Sequence, residues 1–481
     1  MTTASEAETE KHPLPRSFWW TAACALAVML AAGWPALFPV LLAAALAGAA
    51  MLLLNTRSGL YVLAFAIAPL GIIQKEIAGV TINLPEALIL FLFLKELGRF
   101  LLRGEKPAPL PWLPIALYLG AALLACATGL GNGHPARAVF QDARQFTEYL
   151  TLYFLVAHRV TTPRQAAAIL LAFVLGIALL ALHGIAQRYG GFGIPGTQLI
   201  SDLVYHGAVR SGSFYGATPL GALMVLALGP ALGLLLYAPN FALKAGLGIT
   251  VALFVTAAVF TKTRASWLAI LLLLAVMFLL LPKSPKQIAA AAIAALVFAA
   301  ALGPEVADRM STLSFGKAER SLRMRVQYYA TAGHIAQAHP WMGLGWGGYY
   351  SQGDILINGR YVPRTPNERP VGSPKQATVH SAYLQLLVKT GLLGLGAFLL
   401  ILLGGARRVL PACLGAARTA PHFPLLAGTV ASLAAYLAHA GLENFFQWPV
   451  MAQAFWLLMG TATALTIAPK KMPSNGCQPH A

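Results

Sequence analysis

The chain has 481 residues, of which 58% are hydrophobic and only 10% charged, and its mean hydropathy is +0.68. Soluble domains carry about 25% charged residues, so this composition excludes an ordinary soluble protein and indicates a membrane protein. The formal net charge of +18 would suggest nucleic acid binding in a soluble chain, but basic loops also orient membrane proteins. The apolar runs are continuous, without the alternation of barrel strands, and therefore predict helices.

Apolar segments follow one another from the N-terminus to the C-terminus. The candidate spans lie near 18–33, 36–54, 59–73, 85–102, 112–130, 146–158, 165–187, 218–237, 245–261, 266–282, 286–302, 380–405, 424–441 and 447–467. The first has no clear cleavage site after it, which predicts a retained span. Several are shorter than the about 20 residues that a bilayer requires. The predicted fold class is therefore an all-α polytopic integral membrane protein with about 12 transmembrane helices, in a range of about 12 to 14.

The distribution of basic residues predicts the orientation. With the N-terminus inside, the cytoplasmic loops collect more Lys and Arg than the short outer loops, as the positive-inside rule requires. One outer loop is far too long for a turn. We therefore predict an N-terminal transmembrane bundle at 1–302, an outer loop domain at 303–379, and C-terminal transmembrane helices with a cytoplasmic tail at 380–481.

Basic side chains at the predicted outer face form the first candidate site. Arg210 lies in "VRSGSFYGATP" just before a span, and Lys262 and Arg264 lie in "FTKTRASWLAI" between two closely spaced spans. Cations at that depth are expensive unless they are paired, and a guanidinium suits phosphate oxygens. A membrane-embedded diphosphate would fit. Headgroup anchoring, or pairing with a distant carboxylate such as Glu443, is the alternative.

The long outer loop holds the second candidate. The stretch "AERSLRMRVQYYATAGHIAQA" predicts a helix on which Arg320 and Arg323 share a face and Arg325 points elsewhere. Such a helix could contact anionic sugar phosphates or the membrane, or could be an ordinary solvated surface. The glycine-rich "GLGWGGYY" follows. Its aromatic residues are candidates for stacking on sugars or for anchoring at the membrane interface: Trp346, Tyr349 and Tyr350.

A histidine, His380, directly precedes the apolar helix "SAYLQLLVKTGLLGLGAFLLIL". A neutral imidazole can accept a hydroxyl proton near physiological pH, but it could also be a headgroup anchor. No metal site is predicted, because His334 and His339 have no Asp, Glu or Cys cluster beside them. Carboxylates are scarce, with 16 Asp and Glu in the whole chain. A cationic site of this kind favours an anionic substrate or leaving group.

Four elements in order carry a resemblance to a known family. They are "RSGSFYGATPLGALM" at 210–224, "TKTRASWLAILLLL" at 261–274, "RMRVQYYATAGHIAQAHPWMGLGWGGYY" at 323–350 and "HSAYLQLLVKTGLLGLGAFLLIL" at 380–402. With these motifs the chain resembles the O-antigen ligase and polymerase superfamily, and most closely the lipopolysaccharide O-antigen ligases. The resemblance covers part of the C-terminal half, whereas the N-terminal spans match only in hydropathy.

The resemblance implies a GT-C-like glycosyltransferase of the bacterial inner membrane with a periplasmic active site. It implies inverting transfer without a metal or other cofactor, from an undecaprenyl-diphosphate-linked glycan to a sugar hydroxyl of lipid A–core. By the same resemblance, His380 would be the general base, and Arg210 and Arg264 would hold the diphosphate. The residues expected to bind substrate are Arg210, Lys262, Arg264, Arg323, Tyr349 and Tyr350.

The sequence does not distinguish this activity from two related enzymatic activities or from two other classes of protein. An O-antigen polymerase would use the same donor but elongate a lipid-linked chain, and a protein O-oligosaccharyltransferase would differ only in its acceptor. A multi-span transporter would require related halves and ionisable pairs near the middle of the bilayer, and neither is visible in the sequence. A non-catalytic lipid-binding or scaffold protein is the remaining alternative.

Overall fold

The computed structural model describes residues 55–71, 73–77, 80–104, 108–189, 204–205, 208–209, 211–281, 300, 303, 318–347, 355–357, 360–362 and 379–466. The predicted spans at 18–33 and 36–54 lie outside these residues, and 286–302 is described only at residue 300.

Helices dominate the described chain. They are α1 (Thr56–Ala66), α2 (Leu84–Arg103), α3 (Trp112–Gly131), α4 (Ala136–Thr147), α5 (Leu150–Arg159), α6 (Pro163–Arg188), α7 (Ala217–Tyr237), α8 (Phe241–Phe260), α9 (Arg264–Leu280), α10 (Ala318–Ala338), α11 (Ala382–Leu414), α12 (Phe423–Ala440) and α13 (Pro449–Thr466). Two 3₁₀ turns cover Ala416–Thr419 and Phe445–Gln447.

Three short antiparallel hairpins complete the described elements. They pair β1 (Gln74–Ile77) with β2 (Val80–Asn83), β3 (Val204–Tyr205) with β4 (Ala208–Val209), and β5 (Ile355–Ile357) with β6 (Arg360–Val362). In the first hairpin Gln74 lies opposite Asn83, and in the last Ile355 lies opposite Val362.

Six of the described helices are long and apolar enough to cross a membrane: α3, α6, α7, α8, α11 and α12. The apolar helix α9 is shorter. An all-α, multi-pass membrane protein is therefore confirmed in outline, because five of these six helices begin and end within a few residues of the predicted spans. The sixth, α11, continues to Leu414, beyond the predicted end at 405. Hydropathy predicts these helices well, because a helix in lipid forms its backbone hydrogen bonds within the segment itself.

The predicted span at 146–158 differs in its bounds from the helices of the described chain. The segment contains the end of α4, the two-residue junction that follows it and most of α5. Charged and polar side chains meet at this junction: Arg144 lies 2.9 Å from Glu148 and 3.1 Å from Glu86, and the Tyr149 hydroxyl donates to Glu86 at 2.5 Å. The network keeps these buried groups paired, as burial of charge requires.

Helices α7 and α12 pack antiparallel through small residues. A Cβ at Gly229 would collide with the carbonyl of Gly428, and a Cβ at Gly233 would collide with the carbonyl of Pro424. Small residues let the backbones of membrane helices approach closely. The start of α7 therefore lies at the same end of the bundle as the end of α12.

The longest helix, α11, is interrupted at Gly391, where φ is +64°. The segment 340–344 of the long loop enters this interruption. The Leu344 amide donates to the Val388 carbonyl at 2.8 Å, and the Leu392 amide donates to the Pro340 carbonyl at 2.8 Å. The loop thus forms hydrogen bonds with backbone groups of α11 that have no helical partner at the interruption. Irregular backbone at membrane depth needs such partners, because lipid offers none.

A buried ion pair lies beside this interruption. The Lys389 ammonium and the Asp142 carboxylate are 2.6 Å apart, and the Lys389 side chain is 0% exposed. The same Asp142 oxygen accepts from the Gly347 amide at 2.8 Å. Asp142 therefore connects α4 with α11 and with Gly347, which follows the segment 340–344.

Candidate functional site

His380 lies at the start of α11 in an unusual backbone conformation. Its φ is +52°, in the left-handed region that a non-glycine residue adopts only when its surroundings hold it there. Ser381 follows as the N-cap of α11 and accepts from the Leu384 amide at 3.4 Å. The Tyr329 hydroxyl of α10 donates to the His380 carbonyl at 3.2 Å. Contacts on both sides therefore fix the backbone that carries the imidazole.

The imidazole of His380 is paired with a carboxylate. His380 Nδ1 lies 2.9 Å from Glu443 Oε2, and the two residues are 63 positions apart in the chain. Glu443 follows the end of α12, and its side chain is only 14% exposed. The second oxygen, Oε1, contacts the Arg325 guanidinium of α10, which also donates to the Leu442 carbonyl at 2.8 Å. Arg325 of α10 and His380 at the start of α11 therefore meet at a carboxylate that follows α12.

Electrostatics keep this carboxylate ionised. Burial raises the pKa of Glu443, but the hydrogen bond with His380 and the charge of Arg325 outweigh it and hold the pKa below its usual value. A carboxylate can only accept hydrogen bonds, so the bond to His380 requires a proton on Nδ1. In the neutral ring the lone pair then lies on Nε2, which becomes the nitrogen that can take up a proton.

Helix α10 contributes Arg325 to this pair. The sequence predicted that Arg325 points away from the face shared by Arg320 and Arg323, and in the structure Arg325 contacts Glu443. Helical periodicity does not predict this contact, because it does not report where the helix docks. The side chain of Arg323 lies outside the described residues. The ring of Tyr328 is 5.6 Å from that of His380, so an aromatic side chain borders the imidazole.

The loop before α7 and the hairpin between α8 and α9 lie at the same end of the bundle. The Ser211 amide donates to the Phe260 carbonyl at 3.0 Å, which brings the residue after Arg210 to the end of α8. The Tyr383 hydroxyl of α11 donates to the Leu437 carbonyl of α12 at 2.8 Å. Because the start of α7 lies beside the end of α12, we call this whole end the His380 end.

Two of the predicted cationic residues, Lys262 and Arg264, lie in the connection between α8 and α9. Lys262 is buried and has φ of +51°, and Arg264 is exposed as the first residue of α9. Together they occupy the tight hairpin expected between two apolar helices. Arg210, Tyr349 and Tyr350 lie outside the described residues.

Trp346 does not offer a face for sugar stacking or for membrane anchoring. It is 0% exposed, and its indole donates to the Ala122 carbonyl of α3 at 2.9 Å. Its ring lies 5.2 Å from that of Phe146. The glycines beside it explain this position, because a Cβ at Gly345 would collide with the backbone of Gly129. The described part of the glycine-rich segment, residues 343–347, therefore packs closely against neighbouring helices.

Glu443 is the residue that the sequence analysis did not assign to the site. It was considered only as a distant partner for the arginines, whereas it pairs with His380 and Arg325. One signal was available: Glu443 is the only acidic residue in the sequence after His380. A lone carboxylate near a membrane surface needs a cationic or hydrogen-bonding partner.

A comparison with known protein families matches part of the chain. No curated protein matches the chain, but a family model described as O-antigen ligase matches residues 249–399. This range includes the hairpin with Lys262 and Arg264, α10 with Arg325, and His380, and it ends within α11. Members of this family are glycosyltransferase-like enzymes. The resemblance to the O-antigen ligase superfamily is therefore confirmed over residues 249–399.

Proposed function

We propose that this protein is an O-antigen ligase of the bacterial inner membrane, which acts at the periplasmic face. It transfers a glycan from undecaprenyl diphosphate to a sugar hydroxyl of lipid A–core. The observation that carries the proposal is the pairing of His380 Nδ1 with the buried Glu443 carboxylate. The family match supports the reaction class. The His380 ring is one-third exposed, at 34%, so an acceptor hydroxyl can reach it.

The proposed reaction is a single inverting displacement. The acceptor oxygen attacks the anomeric carbon as its proton passes to His380 Nε2, and the bond from that carbon to the diphosphate oxygen breaks. The electron pair of that bond leaves with the diphosphate. Glu443 stabilises the imidazolium that forms, as an orienting carboxylate does beside a catalytic histidine. The diphosphate is a good leaving group, so the reaction requires neither a metal nor a nucleotide.

The cationic residues of the His380 end bind the donor in this proposal. Arg264 and Arg210 hold the diphosphate, and Lys262 adds positive charge next to Arg264. Cations that are fixed before reaction stabilise charge as it develops on a leaving group. Arg323, Tyr349 and Tyr350 are proposed to contact the glycan. Support for this arrangement comes from the hydrogen bond that ties the loop after Arg210 to the end of α8.

The test of this function is glycan transfer by the purified protein with His380→Ala. Loss of the general base should lower the rate about 10²- to 10⁴-fold, in chelator as well as without it. The control is His334→Ala, which removes an exposed histidine of α10 and should leave the rate unchanged. Full activity of a folded His380→Ala protein would refute the role of the base.

The choice of acceptor separates the proposed ligase from its relatives. A ligase transfers the glycan to purified lipid A–core. Transfer only to a second lipid-linked glycan would identify a polymerase, and transfer only to a serine- or threonine-containing peptide would identify a protein O-oligosaccharyltransferase. Either result would refute the assignment as a ligase but would agree with the proposed lipid-linked donor.

A further inference from the structure

The segment 340–344, which enters the interruption of α11, also presents two large apolar side chains at its surface. Trp341 is 63% exposed and Met342 is 44% exposed. The next two residues, Gly343 and Leu344, are buried. The segment therefore packs one side against the helices and leaves an apolar side uncovered by the described residues. Exposed apolar surface of this kind is typical of a contact with another protein or with lipid.

These two side chains continue the exposed faces of two helices that are long and apolar enough to cross a membrane, α3 and α11. The Leu393 amide of α11 donates to the Trp341 carbonyl at 3.3 Å. Both Leu392 and Leu393 are exposed, at 48% and 43%. On the other side, the Thr128 hydroxyl of α3 lies 3.7 Å from the sulfur of Met342. The apolar surface is therefore continuous from the helices to the segment, and the lipid that covers the helices also reaches the segment.

The depth of the segment follows from the lengths of the two helices. Arg408 of α11 donates to the carbonyl of Pro109, just before α3, so this contact marks a level that the two helices share. Gly391 lies 17 residues before Arg408, about 25 Å along the helix. Thr128 lies 16 residues after the start of α3, about 24 Å along the helix. The two helices therefore give nearly the same depth for the segment that both contact.

That depth corresponds to the boundary of the bilayer farther from Arg408. Arg407 and Arg408 are the first charged residues of α11 after Gly391. Charged side chains avoid the hydrocarbon core, so the nearer boundary lies close to them. The core is about 30 Å thick, so a segment about 25 Å away reaches the region where hydrocarbon meets the headgroups. Tryptophan is enriched in this region, because its ring is apolar and its indole N–H can bond to headgroups or water.

Irregular backbone can lie at this depth only if the protein itself satisfies its polar groups. The Leu392 amide donates to the Pro340 carbonyl at 2.8 Å, and this bond uses the first carbonyl of the segment. The Leu344 amide donates to the Val388 carbonyl at 2.8 Å. The Leu344 carbonyl accepts from Asn132 Nδ2 at 3.0 Å. These bonds occupy backbone groups that lipid could not satisfy, while the large apolar side chains point outward.

We propose that Trp341 and Met342 form a lipid-binding face, which holds the segment 340–344 at the boundary between hydrocarbon and headgroups farther from Arg408. The partner is the bilayer, and the contact anchors the end of the long loop to the membrane. The proposal is independent of glycan transfer, since it rests on exposure, helix length and backbone bonds. Trp346 is buried, so the anchoring role considered for it falls to Trp341.

Spin labelling of the full chain in lipid bilayers tests the proposal. The four native cysteines are replaced by serine, and a nitroxide is attached to Trp341→Cys. Its collision rates are measured with molecular oxygen, which dissolves in lipid, and with a water-soluble nickel chelate. The controls are Leu400→Cys, 44% exposed within the apolar part of α11, and His334→Cys, exposed on α10. The ratio of oxygen to nickel collisions at Trp341→Cys should lie between the high value at Leu400→Cys and the low value at His334→Cys.

Three other results would overturn the proposal. A ratio equal to that of His334→Cys would mean that Trp341 lies in water. A ratio as high as that of Leu400→Cys would place it in the hydrocarbon core instead of at the boundary. Low collision rates with both reagents would mean that protein, such as a second copy of the chain, covers this face. If Trp341→Cys does not fold, Met342→Cys is labelled and measured with the same criteria.

Discussion

The bond between His380 and Glu443 determines which nitrogen of the imidazole holds the proton. An ionised carboxylate can only accept, so it keeps the proton on Nδ1 and leaves Nε2 as a base. The contact of Arg325 with the other carboxylate oxygen holds Glu443 in its charged form. The chemistry proposed for the His380 ring thus depends on a second side chain, which is only 14% exposed.

Glu443→Gln tests this dependence. The new amide can donate to His380 Nδ1, which would place the proton on Nε2 and remove the base. We expect the transfer rate to fall about 10²- to 10⁴-fold, as for a catalytic histidine held in the wrong tautomer. The control is Glu148→Gln, which changes a carboxylate at the α4–α5 junction. A Glu443→Gln protein with the wild-type rate would show that the carboxylate does not orient the base.

The same variant predicts a pH dependence of stability. The pKa of Glu443 is lower in the folded protein than in the unfolded chain. Its stabilisation is therefore complete above the ordinary pKa of about 4.3 and disappears as the pH falls through the lower folded pKa. The melting temperature of the wild type in detergent should exceed that of Glu443→Gln by more at about pH 5 than at about pH 3. A difference that does not narrow between these two pH values would contradict the prediction.

At the scale of elements, the interruption of α11 depends on one glycine. A Cβ at Gly391 would collide with the backbone of Trp341, and φ is +64° there. Gly391→Ala should therefore cost about 1–3 kcal/mol from strain alone and displace the segment 340–344. The control is Gly396→Ala in the same helix, where a Cβ meets nothing within 4 Å. That change should be neutral or stabilise the helix by up to about 1 kcal/mol.

Thermal unfolding of both glycine variants in detergent provides the measurement. Equal melting temperatures would mean that the loop does not depend on the interruption. A lower melting temperature for Gly391→Ala alone would support the arrangement.

The helices were predictable to different degrees, for physical reasons. Bounds such as those of α3 and α7 follow from hydropathy, because the backbone of a spanning helix is satisfied locally. The interruption at Gly391 was not predictable, since glycine is common in continuous membrane helices. Its partner, the segment 340–344, binds through backbone atoms, which leave no pattern in the sequence. The junction between α4 and α5 was missed because Arg144 and Glu148 are paired only in the folded chain.

At the scale of the whole molecule, the orientation across the membrane is a prediction from the distribution of basic residues in the sequence. At the end opposite the His380 end, Arg418 donates to the Leu280 carbonyl at 2.8 Å and Arg408 donates to the Pro109 carbonyl at 2.6 Å. Basic residues at helix ends on one side are typical of the cytoplasmic side. The orientation proposed from the sequence therefore places the His380 end outside.

Labelling of single cysteines in intact cells tests this orientation. In a background in which the four native cysteines are replaced by serine, His334→Cys on α10 should react with a membrane-impermeant maleimide. Arg407→Cys on α11 should react only after the cells are lysed. Both positions are exposed, so burial does not explain a difference. The reverse pattern would invert the topology.

The candidate site was predictable only in part. His380 and Arg264 stand at the ends of apolar segments, where polar residues are conspicuous. The contact between His380 and Glu443 joins two elements that hydropathy cannot pair. The contact of Arg325 with Glu443 was not predicted, because the docking of α10 is a tertiary property. The burial of Trp346 depends on glycines of two distant segments, and a sequence shows only that both segments contain them.

The interruption of α11 also has a consequence for biogenesis. The chain is synthesised from its N-terminus, so the segment 340–344 leaves the ribosome before Val388, Gly391 and Leu392 exist. Its amide and carbonyl groups acquire their partners only once α11 is in place. The segment 340–344 therefore docks only after α11 has been synthesised. Nascent chains that end before α11 should expose this segment to proteases, whereas chains that extend through α11 should protect it.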